Sequence, residues 1–180
     1  RDPLVDLVAR ARGAKARIRD LWIVDSSAGK AALIRIPVNG NGRWASVELD
    51  NIALVGNRAG VGIAATMTDA LTIRGAFVAE PMLGDAWLQI GTFGPVAIDQ
   101  SVIAVRNGLV DHLESSDGSY PKVTVTKSEL LGPKPSEPVD ARDTQWGKPP
   151  PATIDAKSAA ASARAGTPPD RTKLRAILPK

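Results

Sequence analysis

The chain has 180 residues, 43% of them hydrophobic, and a formal net charge of +4, which suits one ordinary core and is short for two. Cysteine is absent and histidine occurs once, which excludes disulfide frameworks, thiol nucleophiles and Cys/His zinc or iron–sulfur sites. No apolar run approaches the ~20 residues of a bilayer-crossing helix, so a soluble or peripheral chain is expected.

An opening Arg1 reads as proteolytic maturation or as a segment with residues upstream. Charge divides the chain into three. Residues 1–20 carry +3, residues 21–120 carry −4 and residues 121–180 carry +5. The first block predicts a helix. Asp2 can cap it, Pro3 suits its first position, and Leu4, Leu7, Ala11, Ala14, Ile18 and Leu21 recur at spacings of three and four. Leu4, Leu7 and Ile18 are its candidate partner contacts, on a seam narrow enough for a partner helix or a groove.

From residue 21 to 120 the pattern changes to short β-branched runs broken by Gly, Asn and Asp. "AALIRIPV", "NGNG" and "RWASVELD" read as a hairpin, because Asn-Gly pairs tolerate the positive φ of tight turns. Further strands are expected in "NIALVG", "VGIAATMT", "LTIRGAFVA", "AWLQIGTF", "PVAID" and "SVIAVR". Their spacing predicts a small antiparallel sandwich or barrel, with Trp22, Trp44, Phe77, Trp87 and Phe93 as its large core or interface residues.

Beyond residue 120 proline dominates, with ten of the fourteen at or after Pro121. Proline this dense predicts an extended arm over 121–180, unable to bury enough apolar surface to fold alone and ordered by its partners. Trp146, the only aromatic after Tyr120, is its strongest anchor. Leu174, Ile177 and Leu178 have the i, i+3, i+4 spacing of a short helix docked in a groove. Arg171, Lys173, Arg175 and Lys180 form the densest basic cluster, suited to nucleic acid or to an acidic surface.

Catalytic and cofactor motifs fail on inspection. His112 has Asp111, Ser115 and Ser116 close in sequence, but neighbours in sequence rarely converge into a triad. Gly29-Lys30 lacks the first glycine and the Ser or Thr of a phosphate loop. "GVGIAA" matches the dinucleotide fingerprint but is followed at once by another strand, so Gly56, Gly60 and Gly62 read as turn or bulge residues. The expectation is therefore a non-enzymatic protein without cofactor or metal. It would serve as scaffold or clamp in a large assembly that includes copies of itself. A bacteriophage virion is the first setting, a bacterial periplasm, envelope or secretion complex the second, and a basic-tailed nucleic-acid binder the third.

Overall fold

Residues 14–19, Ala-Lys-Ala-Arg-Ile-Arg, alternate small or apolar side chains with basic ones, and a period of two belongs to a strand. The computed structural model describes residues 5–26, 32–37, 42–56, 62–66, 68–79, 87–91, 94–108, 110–112, 121–135, 139–151, 154 and 171–178. Its N-terminal region forms strands β1 (Val5–Asp6) and β2 (Arg12–Arg19), which corrects the expected helix. Lys15, Arg17 and Arg19 are exposed, while Ala14, Ala16 and Ile18 turn inward and are half-buried. Gly13 adopts φ +79°, a conformation that a helix interior does not accept. Against one narrow helical seam, β2 gains a parallel ladder that runs from Arg12 to Arg19 along β5 (Arg43–Asp50).

With β3 (Trp22–Ser26) the chain completes a first turn through three faces, and it then repeats that course. The second turn is β4 (Ile34–Ile36), β5 and β6 (Ala53–Gly56), and the third is β7 (Ile63–Ala65), β8 (Leu71–Arg74) and β9 (Phe77–Ala79). The fourth is β10 (Leu88–Ile90), β11 (Val96–Asp99) and β12 (Val102–Ala104). The fifth is β13 (Val110–His112), β14 (Val123–Thr126) and β15 (Glu129–Leu131). A sixth turn supplies β16 (Val139–Arg142) and β17 (Gln145–Gly147).

Every strand pairs in parallel with its counterpart one turn away, giving sheets β1-β4-β7-β10-β13, β2-β5-β8-β11-β14-β16 and β3-β6-β9-β12-β15-β17. The architecture is a parallel β-helix. It overturns the antiparallel sandwich or barrel, although each predicted strand segment between residues 32 and 106 does contain a strand. The expected hairpin fails because β4 and β5 belong to different sheets and never pair.

Two-residue corners explain the error. Asp20, Asn51, Gly75, Gln100, Lys127 and Asp143 each follow a strand of the second sheet, and each has φ between 48° and 62°. A left-handed residue at this point reads in sequence as a hairpin turn. Here it bends the chain into the third sheet instead. Its N–H bonds forward to the next turn's carbonyl, as in Asn51 N–H to Arg74 O at 2.8 Å and Gly75 N–H to Asp99 O at 2.9 Å.

Inside the stack each row is apolar and in register: Val47, Leu71, Val96 and Val123 in one, Leu49, Ile73, Ile98 and Val125 in the next, Leu54, Val78, Ile103 and Leu130 in a third. Trp87 is wholly buried, Trp22 and Trp44 are half-buried, and Phe93 lies outside the described residues. Gly62 directly precedes β7 and faces Trp87, and Gly56 ends β6 beside an irregularity in β3. Gly29, Lys30 and Gly60 lie outside the described residues.

The third sheet is apolar on its outer face as well, which is why all of β6 and β9 is buried. A C-terminal helix, α1 (Arg171–Ala176), supplies the cover: Leu174 and Leu178, with Ile154, join the cluster of Ala53, Val55, Phe77, Ala79, Ala104 and Leu131. The expected arm is thus corrected twice. Strands β14–β17 extend the stack to Gly147, and the described part of the tail packs on its own chain. Proline density misled because Pro133, Pro135 and Pro149–Pro151 all fall between or after strands, where no ladder N–H is lost.

Candidate functional site

The solvent face of the second sheet is the largest ordered array of functional groups among the described residues. Side chains pointing away from the core fall into two rows along the stack, set by the register of six strands. One row holds Arg17, Glu48, Thr72, Ala97, Thr124 and Asp140; the other holds Arg19, Asp50, Arg74, Asp99, Thr126 and Arg142. Neighbours in a row are about 4.8 Å apart, the strand spacing, so each row runs about 24 Å.

Charges along these rows pair with one another. The Asp50 carboxylate accepts from the Arg17 guanidinium at 2.6 Å and from Arg19 Nε at 3.2 Å, and Arg17 also lies 3.4 Å from Glu48. Arg74 is 3.6 Å from Asp99, whose other oxygen accepts the Thr126 hydroxyl at 2.7 Å. Arg142 grips Asp140 through two nitrogens at 2.8 and 3.2 Å, with Lys122 at 3.8 Å from the same carboxylate. The hydrogen bond from Arg17 holds the Asp50 carboxyl below its ordinary range, and that from Arg142 does the same to Asp140. The two guanidiniums are raised in return.

Chemically this is a surface of fixed, compensated charge. Asp50 and Asp140 are ionised at neutral pH and poorly placed to donate a proton, so they suit ion pairing and not general acid catalysis. A phosphate track needs cations free to displace counterions, whereas here Arg17, Arg19, Arg74 and Arg142 already face carboxylates.

Among the residues singled out from sequence, Leu7 is half-buried after β1, where its carbonyl accepts the Trp44 indole N–H at 3.1 Å. Ile18 sits in an inner row of β2. Trp146 does not lie on an arm. It is an inner residue of β17, in register with Leu130, and closes the sixth turn with Lys134 Nζ 5.8 Å from its ring centroid. Leu174 and Leu178 are buried and Ile177 half-buried, so the structure brings these three together against the third sheet. Arg175 pairs with Glu129 through two nitrogens at 2.7 and 3.2 Å. Arg171 and Lys173 lie on α1 with side chains outside the described residues, as do Leu4, Lys180, Ser115 and Ser116 altogether. His112 ends β13 opposite Ile90, its side chain likewise outside the description. The basic cluster is therefore not shown as a unit.

Sequence reasoning missed the paired rows, yet a signal for them exists. Ile18-Arg-Asp-Leu-Trp-Ile23, Leu49-Asp-Asn-Ile-Ala-Leu54, Ile73-Arg-Gly-Ala-Phe-Val78, Ile98-Asp-Gln-Ser-Val-Ile103, Val125-Thr-Lys-Ser-Glu-Leu130 and Ala141-Arg-Asp-Thr-Gln-Trp146 are one six-residue pattern. Each is a residue on an inner row (Ala141, on the terminal strand, is itself exposed), an outward polar residue, a left-handed corner, an inward corner residue, an outward residue of the third sheet and a second inward residue. Comparison with known proteins adds no relative: no family profile, curated protein or solved structure matches the chain.

Proposed function

We propose that this chain is a non-catalytic assembly module, a stiff spacer or clamp that holds neighbouring subunits of a larger complex in register. The observation that supports this reading is the continuous register of the two outward rows of the second sheet across six turns, beyond the irregular start of β2 between Arg12 and Lys15, with their charges engaged with one another. Such a face resists bending and presents a regular polar surface. The carboxylates whose acidity is perturbed are pushed toward permanent ionisation, which favours a binding role over proton-transfer chemistry. Balanced charge along the rows favours a protein neighbour over nucleic acid. Copies of the chain itself are among the partners proposed, in a multi-subunit particle or an envelope complex. The β-sandwich scaffold expected from strand spacing is replaced by the parallel stack, and the bacteriophage particle expected from composition has no counterpart in the fold and is set aside.

The test is lysine-directed cross-linking of the protein in its native source, followed by peptide mass spectrometry. Links from Lys15, Lys122 or Lys127 to other polypeptides, or to a second copy, are expected. Recovery as an unlinked monomer would overturn the reading. Retention on DNA or RNA that falls steeply with salt would move it to the nucleic-acid class.

A further inference from the structure

The outer face of the third sheet differs from those of the other two. The second sheet presents charged rows, and the first presents Asp6, Arg35, Ala64 and Gln89. The third presents Ala53, Val55, Phe77, Ala79, Val102, Ala104 and Leu131, with Glu129 at the margin. An apolar strip of this size needs a cover. Its cover is a helix of six residues, far below the length at which a helix holds itself together in water, so α1 owes its shape to the strip.

Recognition has two parts. Leu174, Ile177 and Leu178 enter the apolar strip at helical spacing, and Arg175 forms its two-pronged pair with Glu129. The pair is partly shielded, with side-chain exposures of 35% and 27%. Beside this contact an open groove of about 750 Å³ runs between Phe77, Val102 and Glu129 on the sheet and Thr172, Arg175 and Leu178 on the tail. Sixteen residues separate Ile154 from Arg171, a contour of about 55 Å when extended. That exceeds the ~24 Å height of the stack.

We infer that the outer face of the third sheet is a receptor for an amphipathic helix, and that within an assembly it takes the α1 helix of a second copy of this chain in place of its own. Rejoining an identical element across copies changes no contact at the groove, so exchange costs only the loss of intramolecular linkage. Closed monomers dominate in dilute solution. Crowding of copies, as in a particle, favours exchange. The inference rests on the assembly reading for its biological setting, while its test uses the purified full-length chain alone. Either can therefore fail without the other.

Reciprocal charge reversal provides that test. In Glu129→Arg the resident tail places Arg175 against an arginine, and in Arg175→Glu the resident tail places a glutamate against Glu129. Each closed monomer is repulsive, yet both interfaces of an exchanged pair are complementary. Sedimentation of an equimolar mixture is expected to show a dimer fraction about tenfold above that of either variant alone, a bias of about 1.4 kcal/mol. An equimolar mixture sedimenting as the sum of two monomers overturns the inference. A second measurement serves if either variant is poorly folded. Because the chain has no cysteine, Val102→Cys and Ala176→Cys in separate full-length chains report exchange through a short bismaleimide. Linked dimers that increase with protein concentration and are competed by a peptide of residues 168–180 support it. Absence of linked dimers, where a chain carrying both substitutions links internally, sinks it.

Discussion

Gly62 shows how a single position constrains the stack. It stands directly before β7, and a Cβ built there would lie 2.5 Å from Trp87 Cδ1 and 2.9 Å from both Trp87 Nε1 and the Trp87 carbonyl oxygen. That carbonyl accepts the Ile63 N–H at 2.9 Å, so the backbone cannot retreat without breaking the ladder. The indole N–H has no acceptor among the described residues, which leaves the ring held by packing alone. Gly62→Ala is expected to cost about 1–3 kcal/mol in denaturant unfolding, with a change in tryptophan emission. A variant as stable as the parent would show that Trp87 can move aside. From the sequence, Gly62 reads as a turn or bulge residue and Trp87 as core; their contact joins two successive turns and is invisible along the chain.

Corners are the element that organises this fold. The inward corner residue changes along the stack from Leu21, Ile52 and Ala76 to Ser101, Ser128 and Thr144. In the serine corners the hydroxyl takes over a backbone role. Ser128 Oγ donates to the Thr126 carbonyl at 2.7 Å and accepts the Ser101 N–H at 3.1 Å; Ser101 Oγ donates to the Asp99 carbonyl at 2.8 Å and accepts the Ala76 N–H at 3.0 Å. Ser128→Ala would strand a buried N–H on the preceding turn. A loss of about 1–3 kcal/mol is expected in equilibrium unfolding, with earlier hydrogen exchange at the Ser101 amide. Unchanged protection of that amide would refute the bridging role. Residues such as Asp20, Asn51 and Asp143 are legible as left-handed formers, but a sequence does not say whether the chain then reverses or bends. The direction is decided by whether the following strand finds a partner beside it or one turn away.

At the scale of the whole molecule, the charged rows make stability depend on acid in a definite direction. The carboxyl groups of Asp50 and Asp140 titrate below their ordinary value of 3.8 in the folded state, chiefly through hydrogen bonds from Arg17 and Arg142. A carboxyl depressed on folding stabilises fully above its unfolded value, and the contribution is lost as pH falls through the folded one. The melting midpoint should thus be level from neutrality to about pH 4 in its dependence on these two groups, then decline. Asp50→Asn is expected to lower the neutral midpoint and flatten the acid limb; an unaltered limb would show that the pairing contributes nothing, as exposed pairs sometimes do. Local pattern by itself determined a chain dominated by short strands, the segments they occupy between residues 32 and 106, and the helical spacing of Leu174, Ile177 and Leu178. Only tertiary structure decided that the strands run parallel, that residues 123–147 continue the stack, that Trp146 closes it and that α1 lies on the third sheet. The reason is that every ladder here joins residues 16 to 31 positions apart, with the step changing from turn to turn. Alternation records which way a side chain faces, whereas the choice of neighbour is made by the three-way winding that buries all the inner rows at once.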